Sequence, residues 1–182
     1  MITLEKKEFR LEQLKRLKEF SAQTKAESIE LAAKLFETEA WQNAQTIGTT
    51  VSSPIEVDTA LIMQVAQQQG KKVYLPKTMP ERQMAFLPFT GTADLVTSSF
   101  GIPEPQYSAD LVEHNLDLIL VPGIGFATDS TYRIGFGGGY YDRYLAKFTG
   151  KTIALVPTAM KFATAQWPIE PYDIKIQQLI TL

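Results

Sequence analysis

The stretch Arg133-Ile-Gly-Phe-Gly-Gly-Gly-Tyr-Tyr-Asp-Arg-Tyr-Leu145 combines residue types that together could bind a nucleotide. Glycines at Gly135, Gly137, Gly138 and Gly139 allow positive φ and let a ligand approach backbone N–H groups without meeting a Cβ. A loop of exposed N–H groups running into a helix start attracts anions, since its donors are unpaired and the helix dipole favours negative charge. Tyr140 and Tyr141 offer flat faces and hydroxyls to a planar ligand. Asp142 is placed to hold a cation brought in by a polyphosphate. The reading is a nucleotide-phosphate site beside an aromatic-lined pocket. The plainer alternative is a glycine-rich surface turn in which two tyrosines anchor the next helix.

Other motifs fall short. Gly123-Ile-Gly-Phe-Ala-Thr128 begins like a dinucleotide fingerprint but has Thr128 where the third glycine belongs. Gly150-Lys-Thr152 resembles the tail of a P-loop, yet it precedes a strand rather than following one. His114 is the only histidine and there is no cysteine, so disulfides, thiolate metal sites and a cysteine nucleophile are excluded. His114 is read as a surface residue, and covalent catalysis lacks an activated nucleophile.

The elements that must position the loop follow from periodicity. Residues 3–19 read as an amphipathic helix with Phe9, Leu11, Leu14 and Leu17 on one face and Lys6, Lys7 and Arg10 on a basic side. Thr24-Lys-Ala-Glu27 has the form of a capping box opening a second helix, which would bury Ile29, Ala33, Phe36 and Ala40. Strands are expected at 45–51, 72–76, 84–89, 117–122, 151–156 and 176–181. Helices are expected from about Thr59 to Gly70 and from about 139 to 148. Residues 90–107 read as irregular and 157–175 as loop-rich.

Alternating strands and helices predict one α/β domain over residues 1–182 with a largely parallel central sheet. The Gly-rich loop would lie at the C-terminal edge of the strands. The 182 residues carry a net charge of −2 with 18 basic and 20 acidic side chains interspersed, which argues against nucleic acid. No apolar run suggests a signal peptide or membrane span, so a cytoplasmic location is expected.

The order Val121-Pro-Gly-Ile-Gly-Phe126, then Arg133 to Arg143, resembles the signature of the 5-formyltetrahydrofolate cyclo-ligase family. Lys6-x-x-x-Arg10, the segment Ser52 to Thr59, Gly101-Ile-Pro-Glu-Pro105 and Pro171-Tyr-Asp173 fall in the family's order. The resemblance implies an ATP- and Mg²⁺-dependent conversion of 5-formyltetrahydrofolate to 5,10-methenyltetrahydrofolate. It implies that Lys6, Lys7, Arg10, Arg133, Ile134, Gly135, Phe136, Gly137, Gly138, Gly139, Tyr140 and Tyr141 bind ATP. Val51, Glu56, Phe136, Tyr140 and Tyr141 would bind the folate, and Asp142 and Asp173 the magnesium. Lys6, Arg133 and Tyr140 would be the catalytic residues. Partners would be these small molecules, with no nucleic acid or membrane, in a monomer or weak homodimer. Tyr172 stands where many members have histidine, and Phe136 removes a hydroxyl or charge common at its position.

Each assignment has a structural alternative. Lys6 and Arg10 could be solvated charges, Asp173 a turn residue, Asp142 a first-turn acid and Val51 core. Competing functions are a sugar-phosphate isomerase, active without ATP, and a non-catalytic folate or nucleotide binder.

Overall fold

The computed structural model describes residues 5–182, so residues 3 and 4 of the expected first helix lie outside it. The chain runs α1 (Lys6–Glu19), α2 (Ser21–Phe36), α3 (Glu39–Asn43), β1 (Thr46–Gly48), α4 (Ala60–Gln68), β2 (Lys72–Thr78) and β3 (Met84–Pro88). It continues through β4 (Leu95–Thr97), β5 (Pro103–Pro105), β6 (Leu118–Leu120), β7 (Gly125–Ala127), β8 (Arg133–Ile134), α5 (Tyr140–Leu145), β9 (Lys151–Val156), β10 (Lys161–Phe162) and β11 (Gln178–Thr181).

Six strands form the central sheet in the order β11-β9-β6-β1-β2-β3. All neighbours are parallel except β2 and β3, which form an antiparallel hairpin. Apolar side chains leave the inner strands on both faces. On β6 and β9, Leu118, Leu120, Ile153 and Leu155 join the core formed with α2, α3 and α4. Ile119, Val121, Ala154 and Val156 join the core that includes Phe9 and Leu17 of α1 and Leu145 of α5. This alternation explains why these strands read as continuous apolar runs: a parallel sheet is covered on both sides.

From β1 the chain lays β2 and β3 on one side, then crosses back to lay β6, β9 and β11 on the other. The reversal falls between β1 and β6, and a crevice at such a switch point is where open α/β sheets bind ligands.

The buried stripes of the first two helices differ from the expected ones. In α1 the buried residues are Phe9, Gln13 and Leu17, while Leu11 faces solvent. Gln13 is buried because its amide donates to the Ile124 carbonyl at 2.6 Å and the Ala159 carbonyl at 2.9 Å. Thr24 opens no capping box, since α2 already begins at Ser21 after the single residue Phe20. Its inward stripe is Thr24, Ser28, Leu31, Ala32 and Leu35, leaving Ile29 exposed. The Ser28 hydroxyl donates to the Thr24 carbonyl and accepts from the Asp58 N–H, so a polar group is tolerated inside.

Two regions expected to be irregular contain short strands. β4 and β5 pair as a hairpin, and β10, β7 and β8 make a three-stranded sheet that launches the Gly-rich loop.

The tight centre of the sheet yields a stability prediction. A Cβ on Gly48 would lie 2.9 Å from Leu116, 3.0 Å from Phe86 and 3.1 Å from Ile119. Gly48→Ala is expected to destabilise the protein by about 1–3 kcal/mol through overpacking, seen as a lower urea midpoint; an unchanged midpoint would show that this core can yield.

Candidate functional site

Residues 135–139 connect β8 to α5, and their backbone explains the glycines. Gly137 has φ 110° and Gly139 φ 74°, both in the left-handed region that favours glycine. Carbonyls of the loop are held by arginines. Arg10 Nε donates to the Gly135 carbonyl at 2.9 Å, and Arg82 Nη1 to the Gly138 carbonyl at 3.3 Å. Among the described residues, no backbone N–H from Phe136 to Tyr140 donates to a main-chain acceptor in the loop or its surroundings. The loop therefore presents donors whose matching acceptors must come from elsewhere, the arrangement that receives an anion.

Beneath it lie two ion pairs. Lys6 Nζ meets both carboxylate oxygens of Asp173, at 2.9 and 2.7 Å, with the Asp173 side chain 6% exposed. Arg133 Nη2 lies 3.4 Å from Asp142 Oδ1, and the Arg133 side chain is 4% exposed. Asp142 Oδ1 also accepts from the Ile174 N–H at 3.2 Å, linking the two pairs through adjacent residues. Burial works against the charge on Arg133, while Asp142, Tyr141 and Asp173 support it. Arg133 sits against the face of Tyr141, 5.7 Å from its centroid. Its Nη1 lies 2.7 Å from where a Cβ on Gly135 would be, so glycine at 135 makes room for the guanidinium.

Arg133 Nε and the Tyr141 hydroxyl are buried without a hydrogen-bond partner in the protein. Burial pushes the Tyr141 phenol far above its ordinary value; Arg133 opposes the shift, while the charge of Glu56 adds to it. Tyr141 is thus a neutral donor at physiological pH, between the ion pairs and Glu56.

Glu56 belongs to a second part of the site. It lines a cavity with Thr49, Thr50, Pro122, Gly123 and Phe126, at the ends of β1 and β6 where the strand order reverses. The Ser53 N–H donates to Glu56 Oε2 at 2.8 Å, yet burial outweighs that bond and raises the carboxyl pKa. Thr49 Oγ1 is another buried, unpartnered group on this cavity. Val51 is half-buried just beyond β1 and outside the cavity lining.

Ile134 is buried in the core, Lys7 is exposed on α1, and Phe136 is an exposed aromatic on the loop. Tyr140 packs edge-on against the exposed Phe100, with centroids 6.0 Å apart. Sequence reasoning brought Lys6, Arg10, Arg133, Asp142 and Asp173 to the same site but missed Thr49, Thr50, Phe100 and Arg82. The two threonines carried a positional signal, since they directly follow β1 at the strand's C-terminal end. Phe100 and Arg82 carried none, because each reaches the site across a hairpin or loop.

Among the described residues, no three histidine, aspartate or glutamate groups gather as a metal cage. No helix among the described residues is long and apolar enough to cross a membrane.

Over residues 2–182 the chain matches the profile described as the 5-formyltetrahydrofolate cyclo-ligase family. A mouse protein named 5-formyltetrahydrofolate cyclo-ligase is 28% identical, over 96% of this chain and 92% of its own length. A fission-yeast protein named as a probable 5-formyltetrahydrofolate cyclo-ligase is 27% identical, over 86% of this chain and 84% of its own. The solved structure of a 5,10-methenyltetrahydrofolate synthetase from Aquifex aeolicus superimposes with a TM-score of 0.80 at 26% identity, covering 97% of this chain and 89% of that one.

The shifted carboxyl of Glu56 has a consequence for stability against pH. A pKa raised on folding means that the folded state holds the proton longer, so stability is lost as pH climbs from about 4.5, the ordinary glutamate value, through the raised one. Glu56→Gln removes that loss and keeps an acceptor for Ser53. Thermal melts at stepped pH are expected to show the variant gaining on the wild type above about pH 4.5; parallel curves would place Glu56 in water.

Proposed function

Because the chain belongs to the 5-formyltetrahydrofolate cyclo-ligase family, we propose that residues 1–182 form a single domain carrying out that family's reaction. The reaction turns 5-formyltetrahydrofolate into 5,10-methenyltetrahydrofolate and consumes ATP. The observation that carries the reading is the loop of free N–H groups above two carboxylates, each matched to a cation.

The formyl oxygen of the substrate is a poor leaving group. It attacks the γ-phosphorus of ATP, the bond to ADP breaks, and an iminium phosphate forms. The N10 lone pair then adds to the formyl carbon, N10 loses its proton to water, and the C–O bond breaks to release phosphate. Phosphoryl transfer asks the protein chiefly for positioning and charge neutralisation. The loop 135–139 would hold the phosphate oxygens on its N–H groups, with Lys6 and Arg10 supplying positive charge from α1 and Lys7 adding to it from the exposed side. Arg133 is buried beneath the loop, so its part would be to fix Asp142 and steady Tyr141 rather than to meet solvent. Glu56, from the switch-point cavity, would accept hydrogen bonds from the pterin's amino and ring N–H donors. Val51, Phe136, Tyr140 and Tyr141 would enclose the folate, with Tyr140 orienting the reacting edge.

Asp142 and Asp173 fit a magnesium ion that arrives with ATP. Asp142 and Asp173 would be the one or two carboxylates such an ion takes from a protein, so no larger cage would be needed. When bound it supplies positive charge against the polyphosphate. Lys6 would then turn from Asp173 toward the phosphates, which makes the ion pair a stand-by arrangement for the same charge. We place this reaction in the cytoplasm, in a monomer or weak homodimer without nucleic-acid partners.

Mixing protein, Mg²⁺, ATP and 5-formyltetrahydrofolate is expected to raise absorbance in the methenyl-folate band, with no rise when ATP is left out. A flat trace in the complete mixture sinks the proposal. Asp142→Asn is expected to raise the Mg²⁺ concentration needed for half-maximal rate by about tenfold or more. An unchanged requirement would make Asp142 a partner of Arg133 and nothing further.

A further inference from the structure

Between β2 and β3 the chain turns through Glu81 and Arg82, both in left-handed backbone with φ 57° and 58°. The Gln83 N–H closes this turn on the Pro80 carbonyl at 3.3 Å. Two successive positive φ values suit a residue pair such as Asn-Gly; long L side chains there carry a steric penalty. The turn recovers none of that penalty by burial, because Glu81 and Arg82 are both exposed.

What Arg82 gains is a position. Its Nη1 donates to the Gly138 carbonyl, a residue 56 places away, and lies 3.8 Å from where a Cβ on Gly139 would be. Arg10 holds the Gly135 carbonyl from α1. The Gly-rich loop is thus held at both ends by guanidinium groups from separate elements. A guanidinium has five N–H donors, and one bond to Gly138 leaves others for an oxyanion. Beside Arg82 an open groove of about 1200 Å³ passes Gly139, Asp142, Arg143 and Lys147. Its three long cations outnumber Glu81 and Asp142.

We infer that Arg82 is a further nucleotide-positioning residue, carried on a strained hairpin turn so that its guanidinium reaches phosphate oxygens lying on the Gly-rich loop. The inference rests on the cyclo-ligase reading only in taking ATP as the anion. Backbone strain of this kind persists where surrounding structure uses it, and the site supplies that use.

Two variants test it, Arg82→Gly, which relieves the turn, and Arg82→Lys, which keeps a point charge without the planar fork. ATP binding in the presence of Mg²⁺ is measured by calorimetry, alongside KM for each substrate and the melting temperature. Arg82→Gly is expected to weaken ATP binding by about tenfold or more, the loss typical of a charged hydrogen bond. Its melting temperature should hold or rise, and KM for 5-formyltetrahydrofolate should stay within about twofold of wild type. Arg82→Lys should fall between. ATP affinity of the Gly variant within twofold of wild type overturns the inference. So does a lower melting temperature with both substrates weakened alike, which would make the contact purely structural. Calorimetry needs no turnover, so a wild type that binds ATP without forming methenyl product removes the cyclo-ligase reading and leaves the Arg82 comparison decisive. A wild type that forms product while Arg82→Gly binds ATP normally removes Arg82 alone, and a wild type that binds no ATP removes both.

Discussion

Arg133 is a permanent cation withdrawn almost wholly from water, and the site is built around keeping it charged there. A buried charge without a partner costs several kcal/mol, far more than one hydrogen bond returns. Asp142 answers it from the first turn of α5, and the face of Tyr141 lies against it. Asp142 in turn receives the Ile174 N–H, which sets the chain beside it so that Asp173 meets Lys6 on α1. One buried guanidinium thus fixes where the first helix, the short fifth helix and the segment before the last strand come together. The glycine at 135 belongs to the same constraint, since any side chain there would collide with that guanidinium.

The sheet supplies the rigid half of the arrangement and the loop the adaptable half. Reversal of strand order between β1 and β6 opens a cavity at the strand ends, with Thr49 and Glu56 of the connecting segments on its wall. The Gly-rich loop has no ladder to hold it, so Arg10 and Arg82 do that work from outside by occupying its carbonyls. Such a division sets a cavity at the strand ends beside a loop held by side-chain bonds that can be exchanged.

Much of this was legible in the sequence, for physical reasons that can be named. The runs around Leu118–Leu120 and Lys151–Val156 announced buried parallel strands because both faces are covered. Gly137 and Gly139 announced a tight loop because their left-handed backbone is open to few other residues. Leu11 and Ile29 misled because helix faces were assigned by hydropathy, while Gln13, Thr24 and Ser28 are buried, Gln13 and Ser28 with tertiary partners that hydropathy cannot see. The strands at Gly125–Ala127, Arg133–Ile134 and Lys161–Phe162 are two or three residues long, too short to show a period. Lys6 and Asp173 were legible as charges, but their pairing was not, because each was read toward a ligand.

Lys6 and Asp173 are 167 residues apart in the chain. Contacts of such separation close the longest loops, and their entropic cost is lowered once nearer contacts have drawn the ends together. The juxtaposition of Lys6 and Asp173 therefore belongs to the assembled fold and to neither end of the chain alone.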